Sequence, residues 1–363
     1  MSAPRLLTGA PFPARNNSLN MFRLILAALV LFAHSWYTAG EGGGPSVQGE
    51  NLGGWAVAGF FVISGFLITT SRFTNSAGDF LLHRIARIFP AFIVCLVITA
   101  LVFAPIAALW ERGTLAGFFS TPTTPLNFIW ANSGLKMQHY DIAGTLSTVP
   151  YPGAWNGSLW TLYYEFLCYL TIWLLGSLAV VRRSPVIVTV VFVLSVVAYA
   201  NIDIARRLGL NEDFALLMRL LPFFMGGAVV YYVISRFGLS PAIGIGSLVM
   251  TVALIALIPR WGGQLSAPFM AYGLLYLSTI VPQPRFIAKN DVSYGFYIYA
   301  WPMQQLLMLP ALAQYGMAVY IGATVVLTTV FAAASWFLVE RPVMRLAKGR
   351  RPGRPAPVGA AAA

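Results

Sequence analysis

Arg23 and His34 stand eleven residues apart in the apolar segment NMFRLILAALVLFAHSWY. An arginine near the centre of a membrane span costs about 2.5–3.5 kcal/mol on insertion scales, so ionisable groups in such a segment call for a use. At 1.5 Å per residue the two lie about 16 Å apart along a helix, roughly half the hydrocarbon thickness. Arg23 is thus expected near one membrane face and His34 beyond the middle, toward the other. Glu165, in GSLWTLYYEFLCYL, is the one carboxylate expected deep within a span, about eight residues or roughly 12 Å from its outer end. Ser64, in GWAVAGFFVISGFLITTSR, falls at a similar depth. An imidazole beside a carboxylate is a general-base arrangement, in which the acid fixes the tautomer and stabilises the protonated ring. The alternative is a structural His–Glu hydrogen bond. Ser64 has two readings as well, a donor to a tetrahedral oxyanion or, with Gly59 and Gly65, small-residue helix packing.

Arg84 and Arg87 stand three apart in DFLLHRIARIFP, read as an inner loop before Pro90. At that spacing on a helix both guanidiniums face the same way, which suits phosphates on an anionic cofactor and equally suits positive-inside anchoring. Arg219, in DFALLMRLLPFFMGG, is open to acceptor-binding, structural and snorkelling roles. Trp160 is a candidate lining residue beside Glu165. In SYGFYIYAWPMQQLL, Pro302 predicts a kink that frees a carbonyl toward a cavity, with Gln304 and Gln305 as polar lining. His83 and His139 read as solvated loop residues. Cys95 and Cys168, the chain's two cysteines, fall within apolar segments and read as reduced packing residues; no metal-ligand spacing is present.

The elements that must position these groups are membrane helices. Of 363 residues, 58% are hydrophobic and 9% charged, with a mean hydropathy of +0.74. A soluble protein of this size could not hide so much apolar surface, so the fold class is an all-α polytopic membrane bundle. Ten helices are expected, near 20–37, 54–71, 88–109, 157–181, 185–200, 213–234, 240–258, 265–282, 292–311 and 316–338. The first carries no small-residue cleavage site and is read as retained. With the N-terminus inside, sixteen of the lysines and arginines, from Arg5 and Arg15 through Arg72, Arg84, Arg87, Arg182, Arg183, Arg236, Arg285, Lys289, Arg341, Arg345, Lys348, Arg350, Arg351 and Arg354, collect on one side. Only Arg112, Lys136, Arg206, Arg207 and Arg260 fall opposite, whereas Glu41, Glu50, Glu111, Asp141, Asp203, Glu212 and Asp213 gather there. That asymmetry predicts cytoplasmic termini. The net charge of +12 is accordingly topology and no sign of nucleic-acid binding.

Residues 1–19 read as a polar lead-in, 20–345 as the transmembrane domain, and 346–363 as a disordered basic Pro/Ala-rich tail on the cytoplasmic face. The one long extramembrane connection, about 110–156, carries VPYPGAWNGS and is the natural outer docking place for a substrate. No internal repeat is evident.

Taken in order, Arg23 with His34, FFVISGFLIT, RIAR before FP, SLWTLYYE, RLLPFF, SYGFYIYAWP and VERP resemble the membrane acyltransferase-3 family across most of residues 18–345. These are integral-membrane O-acyltransferases that modify bacterial surface glycans and other exported molecules. The resemblance implies a ten-helix core in the bacterial inner membrane, a cytoplasmic acyl-CoA (usually acetyl-CoA) as co-substrate, and a carbohydrate or lipid-linked glycan acceptor outside. It makes Arg23, His34, Arg84, Arg87 and Glu165 the functional positions. Many members have a histidine where this chain has Ala300, so no role is assigned there. No fused soluble domain is expected, which fits the stand-alone members.

The chemistry expected is transfer of an acyl group to a hydroxyl. Arg84, Arg87 and Arg23 hold the nucleotide phosphates, and His34, oriented by Glu165, deprotonates the acceptor or carries the acyl group transiently. The competing readings are a secondary transporter, in which buried Arg, His and Glu line a proton-coupled path, and a non-catalytic scaffold.

Overall fold

The computed structural model describes residues 9–349 apart from Arg15. The chain is overwhelmingly helical, and each expected segment holds a helix: α1 Leu19–Ala39, α2 Leu52–Thr74, α3 Ala77–Arg112, α4 Thr161–Leu175, α5 Val186–Ala200, α6 Glu212–Phe237, α7 Pro241–Leu257, α8 Gly262–Ile280, α9 Ser293–Met308 and α10 Met317–Gly349. Five of these, α1, α2, α3, α6 and α10, are long and apolar enough to cross a membrane. At fifteen residues each, α4 and α5 are only about 22 Å long, short of a hydrocarbon core of about 30 Å. The sheet content is one hairpin, β1 Ser46–Val47 paired antiparallel with β2 Glu50–Asn51. Its turn residues Gln48 and Gly49 both have positive φ, 53° and 78°, as a two-residue hairpin turn requires.

Close helix contact sets the centre of the bundle. A Cβ added to Gly65 of α2 would lie 1.9 Å from the Phe224 carbonyl oxygen of α6, and one on Gly227 of α6 would lie 2.1 Å from that of Val62. The two backbones therefore touch, and the packing reading of Gly65 is the structural one. Helix α1 packs on α2 and α9, and α10 packs on α9.

Several boundaries differ from the hydropathy pattern. Helix α3 begins at Ala77, eleven residues before its apolar stretch, because Ser76 caps it: its Oγ accepts from the Asp79 N–H at 3.1 Å and donates to the Asp79 carboxylate at 2.9 Å. His83, Arg84 and Arg87 are thus helical, not in a loop. Pro302 lacks the N–H that would bond the Ile298 carbonyl, but the Cys95 thiol donates to it at 3.4 Å. The carbonyl expected to face a cavity is closed by a cysteine. Gln304 and Gln305 are likewise buried rather than lining: the first donates to the Leu31 carbonyl and to Ser35 Oγ, the second to the Tyr151 and Ala154 carbonyls.

The connection after α3 is ordered. It holds a short helix, Pro125–Asn132, and folds back on the end of α3 through Glu111, which accepts from the Leu146 and Thr148 N–H groups at 3.0 and 2.9 Å. Asn132 caps its own loop by accepting from Gln138 and His139 N–H. At the start of the described chain, Ala10 and Leu239 exchange backbone hydrogen bonds, and Ser18 donates to the Ser278 carbonyl. Both cysteines are free and buried. The tail expected to be disordered from residue 346 is instead helical over 346–349, as the end of α10, and its remainder, with Arg5, Arg15, Arg350, Arg351 and Arg354, lies outside the described residues.

Replacing Gly65 with alanine is expected to destabilise the protein by about 1–3 kcal/mol, since backbone rather than a yielding side chain opposes the new methyl. Thermal unfolding in detergent checks this; an unchanged midpoint would contradict the α2–α6 contact.

Candidate active site

Two cavities of about 570 Å³ each enter the bundle, within the range of small-ligand sites. One opens on the arginine-rich face. Its wall includes Arg23 from α1, Ser64 from α2, Arg84 and Arg87 from α3, Tyr169 from α4, Asp291 ahead of α9, and Trp336 and Lys348 from α10. The other lies on the face carrying the hairpin and the long connection. It is lined by His34, Glu50, Trp55, Trp160, Arg219, Tyr297 and Trp301 among others.

The helices that line both cavities show how thin the partition is. On α2, Ala58 lines the second cavity and Ser64 the first, six residues or about 9 Å apart. On α4, Thr161 lines one and Tyr169 the other, with Glu165 midway between them. Glu165 accepts hydrogen bonds from Ser64 Oγ at 3.2 Å and from the Tyr169 hydroxyl at 2.5 Å. Ser64, expected at a depth similar to that of Glu165, is in contact with it. The expected pairing of His34 with Glu165 does not: the carboxylate is held by two groups of the arginine-lined cavity, and His34 Nδ1 is buried without a hydrogen-bond partner. His34 packs edge-on against Trp301 instead, ring centroids 4.8 Å apart. Ser64 Oγ, proposed for an oxyanion, is committed to Glu165 here.

Trp301 is fixed by its indole N–H, which donates to the Ala154 carbonyl at 2.7 Å, and by edge contact with Tyr151 at 5.4 Å. The ring fits only because residue 157 is glycine; a Cβ there would lie 2.4 Å from it. Arg219 pairs with Glu50 at 2.6 Å, placed by the hairpin, and Trp160 stands at the junction with the long connection.

In the arginine-lined cavity, Asp291 binds both Arg23 and Arg87, the latter at 2.7 Å, and Arg87 also reaches Glu340 at 2.8 Å. Burial opposes ionisation of Asp291, but Arg23, Arg87 and Ser293 outweigh it and hold the carboxyl down at about 2. Asp291 therefore stays ionised at neutral pH. Arg84 is different. It makes no ion pair among the described residues, and its Nε is buried without a partner. The two arginines thus share a cavity and differ in role, Arg87 being committed to structure while Arg84 is available. Sequence reasoning missed Asp291, Glu340, Glu50, Tyr169 and Trp301 as site residues. The signal for the first two was present, because acids on an otherwise arginine-rich face require cationic partners. No cluster of metal-ligating side chains occurs among the described residues.

An apolar helical bundle with a cationic cavity on one side of a short partition and an imidazole-bearing one on the other is the architecture of a multi-pass membrane protein. Comparison with known proteins gives the class its name: an acyltransferase domain model matches residues 16–338, and the chain belongs to that family of acyltransferases, enzymes that acylate hydroxyls. It is similar to an O-acetyl transferase of Shigella phage Sf6, 30% identical over 340 residues, covering 90% of this chain and 96% of the relative. It is also similar to nodulation protein 10 of Rhizobium leguminosarum bv. viciae, 27% identical with 91% and 94% of the two chains covered. A third relative is the exopolysaccharide production protein ExoZ of Rhizobium meliloti, 25% identical with 83% and 92% covered. No solved structure matches.

Arg87→Ala is expected to cost about 3–5 kcal/mol of stability, because it strands the buried Glu340 and half-frees Asp291. Arg84→Ala should leave the unfolding midpoint nearly unchanged and weaken coenzyme A binding. Thermal unfolding with and without coenzyme A separates the two; equal destabilisation by both would contradict the division of labour. Gly157→Ala should lower kcat through displaced Trp301 without changing any charge, measured as acyl transfer at saturating donor.

Proposed function

We propose that this acyltransferase moves an acyl group, in the first instance acetyl, from cytoplasmic acyl-CoA to a hydroxyl of a surface or exported glycan on the far side of a bacterial inner membrane. The observation that carries this reading is the pair of cavities on either side of Glu165, one offering an arginine without an ion pair among the described residues and the other an imidazole. Arg84, with Lys348 at the same wall, takes the nucleotide phosphates. Arg23 and Arg87 shape that wall through Asp291. The pantetheine arm runs inward along α1 and carries the thioester to the partition. The excess of lysine and arginine on that face supports a cytoplasmic origin for the donor.

The acceptor enters the His34 cavity from the opposite face. Its hydroxyl oxygen attacks the thioester carbonyl carbon while His34 takes the proton. The carbon–sulfur bond breaks, the acyl group remains on the acceptor oxygen, and the proton leaves with the coenzyme A sulfur as the free thiol. Glu165 stands where the arm must pass, and we assign it as the second acid–base group, acting once the donor displaces Tyr169. The names of the relatives, an O-acetyl transferase and an exopolysaccharide production protein, support acetyl as the group and a carbohydrate as the acceptor. Among the described residues, no paired broken helices or repeats favour a transporter.

His34→Ala in the purified protein is expected to lower transfer from labelled acetyl-CoA by about 100-fold or more, the scale of a lost general base. Coenzyme A should still raise its unfolding temperature. Full activity in the variant would remove His34 from the mechanism, and absence of coenzyme A stabilisation in the wild type would remove the donor.

A further inference from the structure

The charges in the wall of the His34 cavity are all accounted for, and this limits what it can admit. Two arginines line it. Arg219 is bound by Glu50 at 2.6 Å, and Arg260, at the exposed mouth, is bound by Asp203 at 2.6 Å. Glu50 is the one carboxylate in the lining among the described residues and is itself taken by Arg219. Apart from His34 the rest of the wall is neutral, mixing aliphatic, glycine, hydroxyl and amide groups with the rings of Trp55, Trp160 and Trp301. A carboxylated or phosphorylated sugar entering here would lose hydration and find no free cation among the described residues, a penalty of the kind that enforces selectivity. A neutral sugar meets no such cost: its C–H faces lie on aromatic rings, and its hydroxyls bond to the outer edges of the Glu50–Arg219 pair.

We infer that the acceptor portion seated beside His34 is an uncharged sugar residue, and that the Glu50–Arg219 pair is the specificity element that selects it. This rests on the proposed transfer to a glycan and narrows the class of acceptor. Glu50 is well placed for that selection. The hairpin turn at Gln48–Gly49 holds it at the head of α2, where Asn51 caps the helix by accepting from the Gly54 N–H at 2.8 Å. The carboxylate also lies directly over Gly54, where a Cβ would come within 1.8 Å of its Oε1. Because the opposing atoms belong to the end of a flexible side chain, an alanine at 54 moves the carboxylate rather than the fold.

The test compares a neutral hexose oligosaccharide with a uronic-acid oligosaccharide of the same length. The full-length enzyme in detergent acts on each with labelled acetyl-CoA. The wild type is expected to favour the neutral acceptor by about tenfold or more in kcat/KM, the scale of one charge-assisted hydrogen bond. Glu50→Gln frees the Arg219 guanidinium and should move that ratio toward the uronate by about tenfold. Gly54→Ala should shift it in the same direction without altering any charge. Coenzyme A stabilisation should be unchanged in both variants, which shows that they fold. Wild-type preference for the uronate, or equal loss on both acceptors in Glu50→Gln, would overturn the inference while leaving glycan acylation standing. Transfer to neither oligosaccharide, with coenzyme A still bound, would count against the glycan reading itself.

Discussion

Arg87 is the point through which the arginine-lined half of the molecule is tied together. It projects from α3, meets Asp291 just ahead of α9 and Glu340 in α10, and through Asp291 is linked to Arg23 of α1. Four segments distant in sequence are therefore fixed by two guanidiniums and two carboxylates. Its charge also lies between the rings of Tyr294 and Trp336, 5.5 and 5.8 Å from their centroids, which shields the node further. A buried node of this kind is costly to assemble and more costly to break. Its consequence for chemistry is indirect. It takes up Asp291 and Glu340, while Arg84, three residues earlier on the same helix, makes no ion pair among the described residues and lines the cavity with the Phe80 ring 5.9 Å from its guanidinium carbon.

The second constraint is the thinness of the partition. Because the α2 and α6 backbones touch at Gly65 and Gly227, α2 runs through the middle of the bundle and lines both cavities within two turns. Helix α4 does the same around Glu165. In the proposed transfer, donor and acceptor approach one another across this partition.

Burial cost made much of this visible beforehand. Ionisable groups in apolar segments are so expensive that Arg23, His34 and Glu165 stood out without any structure, and the Arg84–Arg87 spacing placed both residues in the wall of one cavity. What the pattern could not give was rotation about each helix axis. Depth along α1 and α4 put His34 and Glu165 within reach, but tertiary packing turned His34 toward Trp301 and Glu165 toward Ser64 and Tyr169. Hydropathy likewise started α3 at its apolar stretch, because DFLLHRIAR is too polar to register, while the cap at Ser76 extends the helix to include it. Asp291 and Glu340 were overlooked for a related reason: each sits beside a segment end, where an acid reads as solvated unless its partners are known.

In the proposed transfer, the acyl group passes from donor to acceptor beside Glu165. The most direct measurement is a cryo-EM map of the protein with a non-cleavable thioether analogue of acetyl-CoA. Density is expected for the diphosphate at Arg84, an arm running along α1, and the acyl end at the partition beside Glu165, facing the His34 cavity. Density with the diphosphate in the His34 cavity, or an acyl end that stops among Arg23, Arg87 and Asp291, would contradict this transfer.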